Sequence, residues 1–272
     1  MIGVTDMSKE RLDVLITSQG LFESREGAKR AIMAGIVLVN DEPIDKAGTR
    51  VAVDAEIRIK GQVMPYVSRG GFKLEQALKE FNLDLRGKIV IDVGASTGGF
   101  TDCALQNGAA MVYAVDVGYN QLAWKLRQDE RVLSMERTNF RYMKPEDLKQ
   151  GLPRFACMDV SFISIKLLLP VLKELLAEDG EIVALIKPQF EAGASFVGKK
   201  GIVKDAAVHM TVIKDIVDFV HTLELVPLGL TYSPIKGGEG NIEFLIYVGR
   251  TGVDQVTDLS IESVVKRAHN EL

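Results

Sequence analysis

The chain has 272 residues, 47% of them apolar and 26% charged, with a net charge of −4. At roughly 150 residues per domain, this length holds one large domain or a large one plus a small one. The composition excludes wholesale disorder, collagen-like repeats and low-complexity sequence, and negative net charge means that any nucleic acid must be held by a local patch.

From Lys9 to Ala34, Leu12, Leu15, Ile16, Ala28, Ala31 and Ile32 recur at spacings of three and four. That spacing predicts two short amphipathic helices separated near Gly20, with Ser24 as N-cap of the second. Gly35 ends the helix, Ile36 to Val39 predicts a short buried strand, and Asn40-Asp41 a turn. Short strands are expected at Val51 to Val53 and Ile57 to Ile59, before Gly61 to Pro65 breaks the pattern. This predicts a small α+β domain over 1–61, a linker over 62–69 and a second domain over 70–272.

From Phe72 onward helices alternate with strands, the signature of an α/β domain whose largely parallel sheet is covered on both faces. Seven strands are expected: Lys88 to Val93, Met111 to Val115, Val132 to Met135, Phe155 to Val160, Glu181 to Ile186, Leu225 to Tyr232 and Ile242 to Val248. Helices are expected at Phe72 to Phe81, Phe100 to Asn107, Gln121 to Arg127, Ile165 to Ala177 and Ala206 to Leu223. No helix separates the last two strands, so the final strand should run antiparallel.

The strongest local signal is the run from Ile91 to Thr101, where a strand enters a glycine-rich turn and then a helix. Asp92, Gly94, Ser96, Thr97 and Gly98 lie there; glycine lets backbone approach a ligand, and the helix start offers free N–H groups. The spacing is not Gly-x-Gly-x-x-Gly, which disfavours a dehydrogenase. Asp116 ends the next strand, where an acid can accept ribose hydroxyls, so a nucleoside-bearing cofactor is expected. Lys73, Asp159, Lys187 and Glu243 flank apolar elements, two cations and two acids. Asp159 and Lys187 each follow an apolar strand, at the carboxyl edge where open α/β sheets bind ligands. His209, His221 and His269 are scattered and give no metal-ligand spacing. Cys103 and Cys157 sit among apolar or small residues, pointing to a reducing cytoplasm rather than a disulfide framework. No membrane span or secretion signal is read.

These motifs resemble the TlyA family of ribosomal RNA 2′-O-methyltransferases, often labelled hemolysins, which join an S4-like RNA-binding domain to an FtsJ-like methyltransferase domain. The S4-like part is Arg11-Leu12-Asp13, Ser24-Arg25 with Ala28, and Gly35 to Asn40. The methyltransferase part is Ser68 to Leu74, Asp92 to Thr101, Met158 to Ser164, Leu185 to Glu191 and Gly240 to Phe244. The resemblance implies a class I, Rossmann-like methyltransferase fold and S-adenosylmethionine held by the turn and Asp116. It also implies a Lys-Asp-Lys-Glu tetrad at Lys73, Asp159, Lys187 and Glu243, with rRNA or ribosomal subunits as partner. In the reaction so implied, Lys187 is the base, made neutral by a neighbouring cation and partial burial, and Lys73 steadies the oxygen's developing charge. Asp159 and Glu243 orient Lys187 and the hydroxyl.

Residues 1–61 hold nine Lys or Arg against ten Asp or Glu, so phosphate binding must come from one face, for which Arg11, Arg25, Lys29 and Arg30 are the candidates. A non-catalytic ribosome-assembly factor is the alternative class, and a membrane-active hemolysin a second, although no exposed apolar helix for the latter is readable.

Overall fold

A computed structural model describes residues 9–19, 21–22, 24–60, 64–198, 200–250 and 259–272. The expected break at Gly20, the last residue of the expected small domain and residues 62–63 of the expected linker lie outside the described residues. The chain divides into two compact units, 1–65 and 66–272.

In the small unit, β1 (Lys9–Arg11) leads into α1 (Leu12–Ser18) and then α2 (Arg25–Met33). Ser24 caps α2, its side chain accepting the Gly27 N–H at 3.2 Å. The apolar stripes of both helices, Leu12, Leu15, Ile16, Ala28, Ala31 and Ile32, bury together against Val37 and Val39. These belong to β2 (Val37–Val39), which pairs antiparallel with β3 (Glu42–Pro43) and β5 (Ile57–Ile59), while β1 pairs with β4 (Arg50–Ala52). The two-residue loop Asn40-Asp41 has positive φ at both positions, 51° and 65°. That is the primed hairpin turn whose twist matches its strands.

The large unit begins earlier than expected. Tyr66 is buried, its ring filling the space a Cβ on Gly71 would need, and the Val67 N–H donates to Asp102 Oδ2 at 2.8 Å. The expected linker over 62–69 therefore loses its last four residues to the large unit.

Then follow α3 (Gly71–Glu80), β6 (Ile89–Val93), α4 (Gly99–Gln106), β7 (Met111–Val115), α5 (Trp124–Arg127), β8 (Val132–Met135) and β9 (Phe155–Met158). After them come α6 (Leu169–Leu175), β10 (Glu181–Ile186), α7 (Pro188–Glu191), α8 (Ala206–Thr222), β11 (Leu225–Tyr232), β12 (Phe244–Arg250) and α9 (Ile261–Glu271). The helix expected over 165–177 is a 3-10 turn, Ile165–Leu167, followed by α6 with Pro170 in its first turn. Proline has no N–H to give to a preceding turn, so it begins a helix rather than continuing one.

Seven strands form one sheet in the order β11-β12-β10-β9-β6-β7-β8, with only β12 antiparallel to its neighbours. This is the mostly parallel, Rossmann-like α/β fold. Alternate strand residues face opposite layers. Ile91, Val93, Ile182, Ala184 and Ile186 pack beneath α6, α8 and α9, whereas Val90, Val112, Val183 and Leu185 pack beneath α3 and α4. Burial on both faces is why these strands read as unbroken apolar runs.

Candidate active site

Four charged side chains converge at one edge of the sheet because of how the strands run. Asp159 directly follows β9, Lys187 follows β10, and Glu243 directly precedes β12. Ile186 pairs with Phe244 in the antiparallel register, so the next step along each strand sets Lys187 beside Glu243. Lys73 enters from the first turn of α3.

Lys73 Nζ donates to Asp159 Oδ2 at 3.0 Å and to Glu243 Oε2 at 2.7 Å. Lys187 Nζ lies 2.6 Å from Asp159 Oδ1 and 4.0 Å from Glu243 Oε1, and it donates to Ser161 Oγ at 3.0 Å. Each lysine thus stands against both carboxylates, with Glu243 only 1% exposed and both lysines 7%. Burial works against charge on Lys73, but Asp159 and Glu243 outweigh it and hold its pKa above the usual lysine value. Burial likewise opposes ionisation of Asp159, and Lys73 with Lys187 reverses that and keeps its pKa low. Lys73, the second cation of the set, is held by the same two carboxylates as Lys187. What Lys187 Nζ touches is two carboxylates and a hydroxyl.

The glycine-rich turn borders this cluster. Gly94 has φ of +86°, and a Cβ there would lie 2.7 Å from the Asp159 carbonyl oxygen, so the turn can pass the tetrad only as glycine. The Ser96 N–H donates to Asp116 Oδ2 at 2.8 Å and the Gly118 N–H to Asp116 Oδ1 at 2.7 Å. A polar cavity of about 320 Å³ holds Lys73, Asp159 and Lys187 together with Ser96 and Thr97. A more apolar one of about 430 Å³ is walled by Val93, Val115, Phe140 and Phe162, with Asp116 on its rim. Gly94, Ser96, Asp159 and Ser161 border both.

Two of the residues expected to bind cofactor, Asp92 and Gly98, line neither of these cavities. Asp92 is fully buried beneath the turn and lines neither cavity. Its Oδ2 accepts the Thr101 hydroxyl at 2.7 Å, its Oδ1 has no hydrogen-bond partner, and burial pushes its carboxyl up to about 7. Gly98, with φ of +98°, is needed for packing, since a Cβ would meet Leu126 at 2.3 Å. Sequence reading missed Ser161, whose signal was its place two residues beyond the strand-end acid. It also assigned no role to Phe162, which lies in the Met158 to Ser164 motif, or to Thr138, Asn139 and Phe140, which lie outside every motif read.

In the small unit the expected basic face is partly neutralised. Arg11 and Arg25 both reach the buried Asp13, each at 2.9 Å, and Lys29 pairs with Glu26 at 2.7 Å. Arg30 is exposed. Among the described residues no three His, Cys, Asp or Glu side chains gather on a metal-sized site, and no helix is long and apolar enough to cross a membrane.

The FtsJ-like methyltransferase family matches residues 66–250, and the S4 domain matches residues 10–57. The chain is 57% identical over 268 residues to "Putative rRNA methyltransferase YqxC" of Bacillus subtilis, covering 97% of this chain and 95% of that protein. It is 38% identical over 265 residues to the 16S/23S rRNA (cytidine-2′-O)-methyltransferase TlyA of Mycobacterium tuberculosis, covering 97% and 98%. Among solved structures, "Putative hemolysin from Streptococcus thermophilus" superposes with a TM-score of 0.77 at 53% identity, covering 97% of both chains.

Proposed function

The chain belongs to the TlyA family of FtsJ-like methyltransferases that carry an S4 domain, and from that membership we propose that it methylates the 2′-hydroxyl of a cytidine ribose in ribosomal RNA, using S-adenosylmethionine. The observation that carries this reading is the buried Lys-Asp-Lys-Glu cluster opening into a cleft beside the glycine-rich turn. The substrate is free rRNA or an assembled ribosomal subunit, which places the enzyme in the cytoplasm.

The residues present suit the cofactor. Gly94 keeps the turn clear of a Cβ, and Asp116 retains acceptor capacity for ribose hydroxyls beyond its two backbone donors. The apolar walls beside it give a flat base a face to pack on, in a volume typical of small-molecule sites. Ser96 and Thr97 border the tetrad, so the turn can pass from the nucleoside end to the reacting end.

S-adenosylmethionine, when bound, supplies a methyl carbon on a sulfonium that loses its positive charge on transfer. Lys187 in its neutral form receives the proton that leaves the 2′-hydroxyl. Asp159, at 2.6 Å, accepts one of its N–H groups, and the charge of Glu243 at 4.0 Å helps to hold it in place. Lys73, held charged by those same carboxylates, is the fixed cation that steadies negative charge growing on the oxygen. Low exposure of all four side chains keeps these charges at work in a poorly hydrated site. Arg11, Arg25, Lys29 and Arg30 are the phosphate contacts we assign to the S4 unit, with Arg30 bearing the least neutralised charge.

Mass mapping of 2′-O-methyl groups in rRNA tests the reading, comparing cells with the wild-type chain, with Lys187→Ala and with neither. A cytidine ribose methyl present only with the wild type is expected. An identical map in all three would make the chain an assembly factor or a membrane-active protein instead.

A further inference from the structure

Lys187 Nζ has three neighbours, and they differ in one chemical respect. Asp159 Oδ1 at 2.6 Å and Glu243 Oε1 at 4.0 Å can only accept hydrogen while ionised, whereas Ser161 Oγ at 3.0 Å can accept or donate. A charged lysine presents three N–H groups, one toward each neighbour. A neutral lysine keeps two N–H groups and a lone pair. Neither ionised carboxylate can donate to that lone pair, whereas Ser161, at hydrogen-bond distance, can turn its hydroxyl and do so.

Ser161 also lies where the two cavities join. It lies three positions after the end of β9, is exposed, and borders both the polar cavity holding the tetrad and the apolar cavity beside Asp116. Lys187, by contrast, is 7% exposed and does not border the apolar cavity. A hydroxyl presented where the two cavities join therefore reaches Ser161 Oγ before Lys187 Nζ.

We infer that Ser161 is a catalytic residue that relays the proton from the substrate's 2′-hydroxyl to Lys187. The 2′-oxygen bonds to the methyl carbon as the carbon–sulfur bond breaks, its electron pair going to sulfur. The 2′-O–H proton passes to Ser161 Oγ while the proton of Ser161 passes to Lys187 Nζ. The products are a methyl ether, a neutral thioether and a charged Lys187, with Ser161 restored as a hydroxyl. The inference rests on Lys187 being the base.

The test is single-turnover methyl transfer by the full chain to ribosomal subunits lacking the methyl group, which isolates chemistry from product release. It is run for the wild type, Ser161→Ala, Ser161→Thr and Lys187→Ala, in mixtures of light and heavy water. Ser161→Ala should lower the transfer rate by about 10²-fold, the usual size of a lost proton-transfer group, with cofactor affinity unchanged. Ser161→Thr keeps a hydroxyl and should recover most of that loss. The wild-type rate should fall with deuterium content along a curve, as for two protons in flight, and that of Ser161→Ala along a line. A wild-type rate in Ser161→Ala, a threonine variant as slow as alanine, or the same deuterium dependence in both would overturn the relay. A wild-type rate in Lys187→Ala would instead remove the base assignment; loss there with none in Ser161→Ala would remove the relay alone.

Discussion

Asp92 shows how one buried side chain couples pH to stability. Its carboxyl is pushed up to about 7 by burial, with the Thr101 hydroxyl only partly offsetting this and Asp159 and Asp116 adding to it. A group whose pKa is raised on folding contributes stability that is complete below its unfolded value and is lost as pH rises through its folded value. Asp92 should therefore cost the fold on the order of 3–4 kcal/mol between pH 4 and pH 8. In Asp92→Asn that loss should vanish, because asparagine keeps the acceptor for Thr101 without a charge. Urea unfolding at pH 4 and pH 8 measures it, and an equal pH dependence in both proteins would show that Asp92 is charged in the fold. The tetrad has the opposite character. Lys73 and Asp159 are each held charged by partners, so removing one member leaves a buried charge without its counter-ion.

The two short helices of the S4 unit are joined by charge as well as by apolar packing. Arg11 precedes α1 and Arg25 opens α2, and both reach the carboxylate of Asp13, held down to about 2 by the hydrogen bond from Arg11 and, against burial, that from Arg25. This makes Arg25 a poor probe of RNA contact. Arg25→Glu should destabilise the unit by about 1–2 kcal/mol by setting one carboxylate against another, the half-exposed site and the remaining Arg11 pair limiting the loss. Arg30→Glu, on an exposed site with no ion pair among the described residues, should leave melting nearly unchanged and reduce the salt slope of RNA binding by about one. Thermal melts followed by circular dichroism and RNA titrations at several salt concentrations separate the two. An unaltered salt slope in Arg30→Glu would take that residue out of the phosphate contacts. Elsewhere, Glu191 of α7 accepts the Ser164 hydroxyl at 2.6 Å and the Ile165 N–H at 2.9 Å. It thereby anchors the far end of the loop that carries Asp159 and Ser161.

For the molecule as a whole, the division at residues 65 and 66 sets where a truncation can fall. Both apolar layers of the large unit are built from residues 66 onward, with Tyr66 itself in the layer beneath α3 and α4. A chain starting at Tyr66 should fold and bind S-adenosylmethionine, yet methylate ribosomal RNA far more slowly for want of the S4 unit's phosphate contacts. A chain starting at Gly70 loses the Tyr66 ring and the Val67 bond to Asp102, and should melt at lower temperature. Calorimetric binding, melting and methylation assays check these outcomes. Full methylation by the Tyr66 chain would show that the S4 unit serves something other than substrate capture.

The strands and the glycine-rich turn were legible in sequence because their causes are local, whereas the tetrad was expected as a set only from the family resemblance. A strand covered on both faces must be apolar throughout, a backbone passing under Asp159 must lack a Cβ, and an acid or lysine ending such a strand must stand at the ligand edge. The antiparallel last strand was legible too, since no helix intervenes between β11 and β12. α9 carried a readable stripe of Ile261, Val264, Val265 and Ala268, but only the folded chain says that the lower sheet face needs this third helix. Asp13 looked like any surface acid until two arginines from separate elements met it. Asp92 looked like a ligand contact, because a pattern along the chain places a residue on a strand but does not say which side of a turn its carboxylate faces. Ser161 acquired its role only through Lys187, twenty-six positions away. Local patterns specify which elements form and which faces are buried; the partner of each polar group is chosen by long-range packing, and the proton's route depends on those partners.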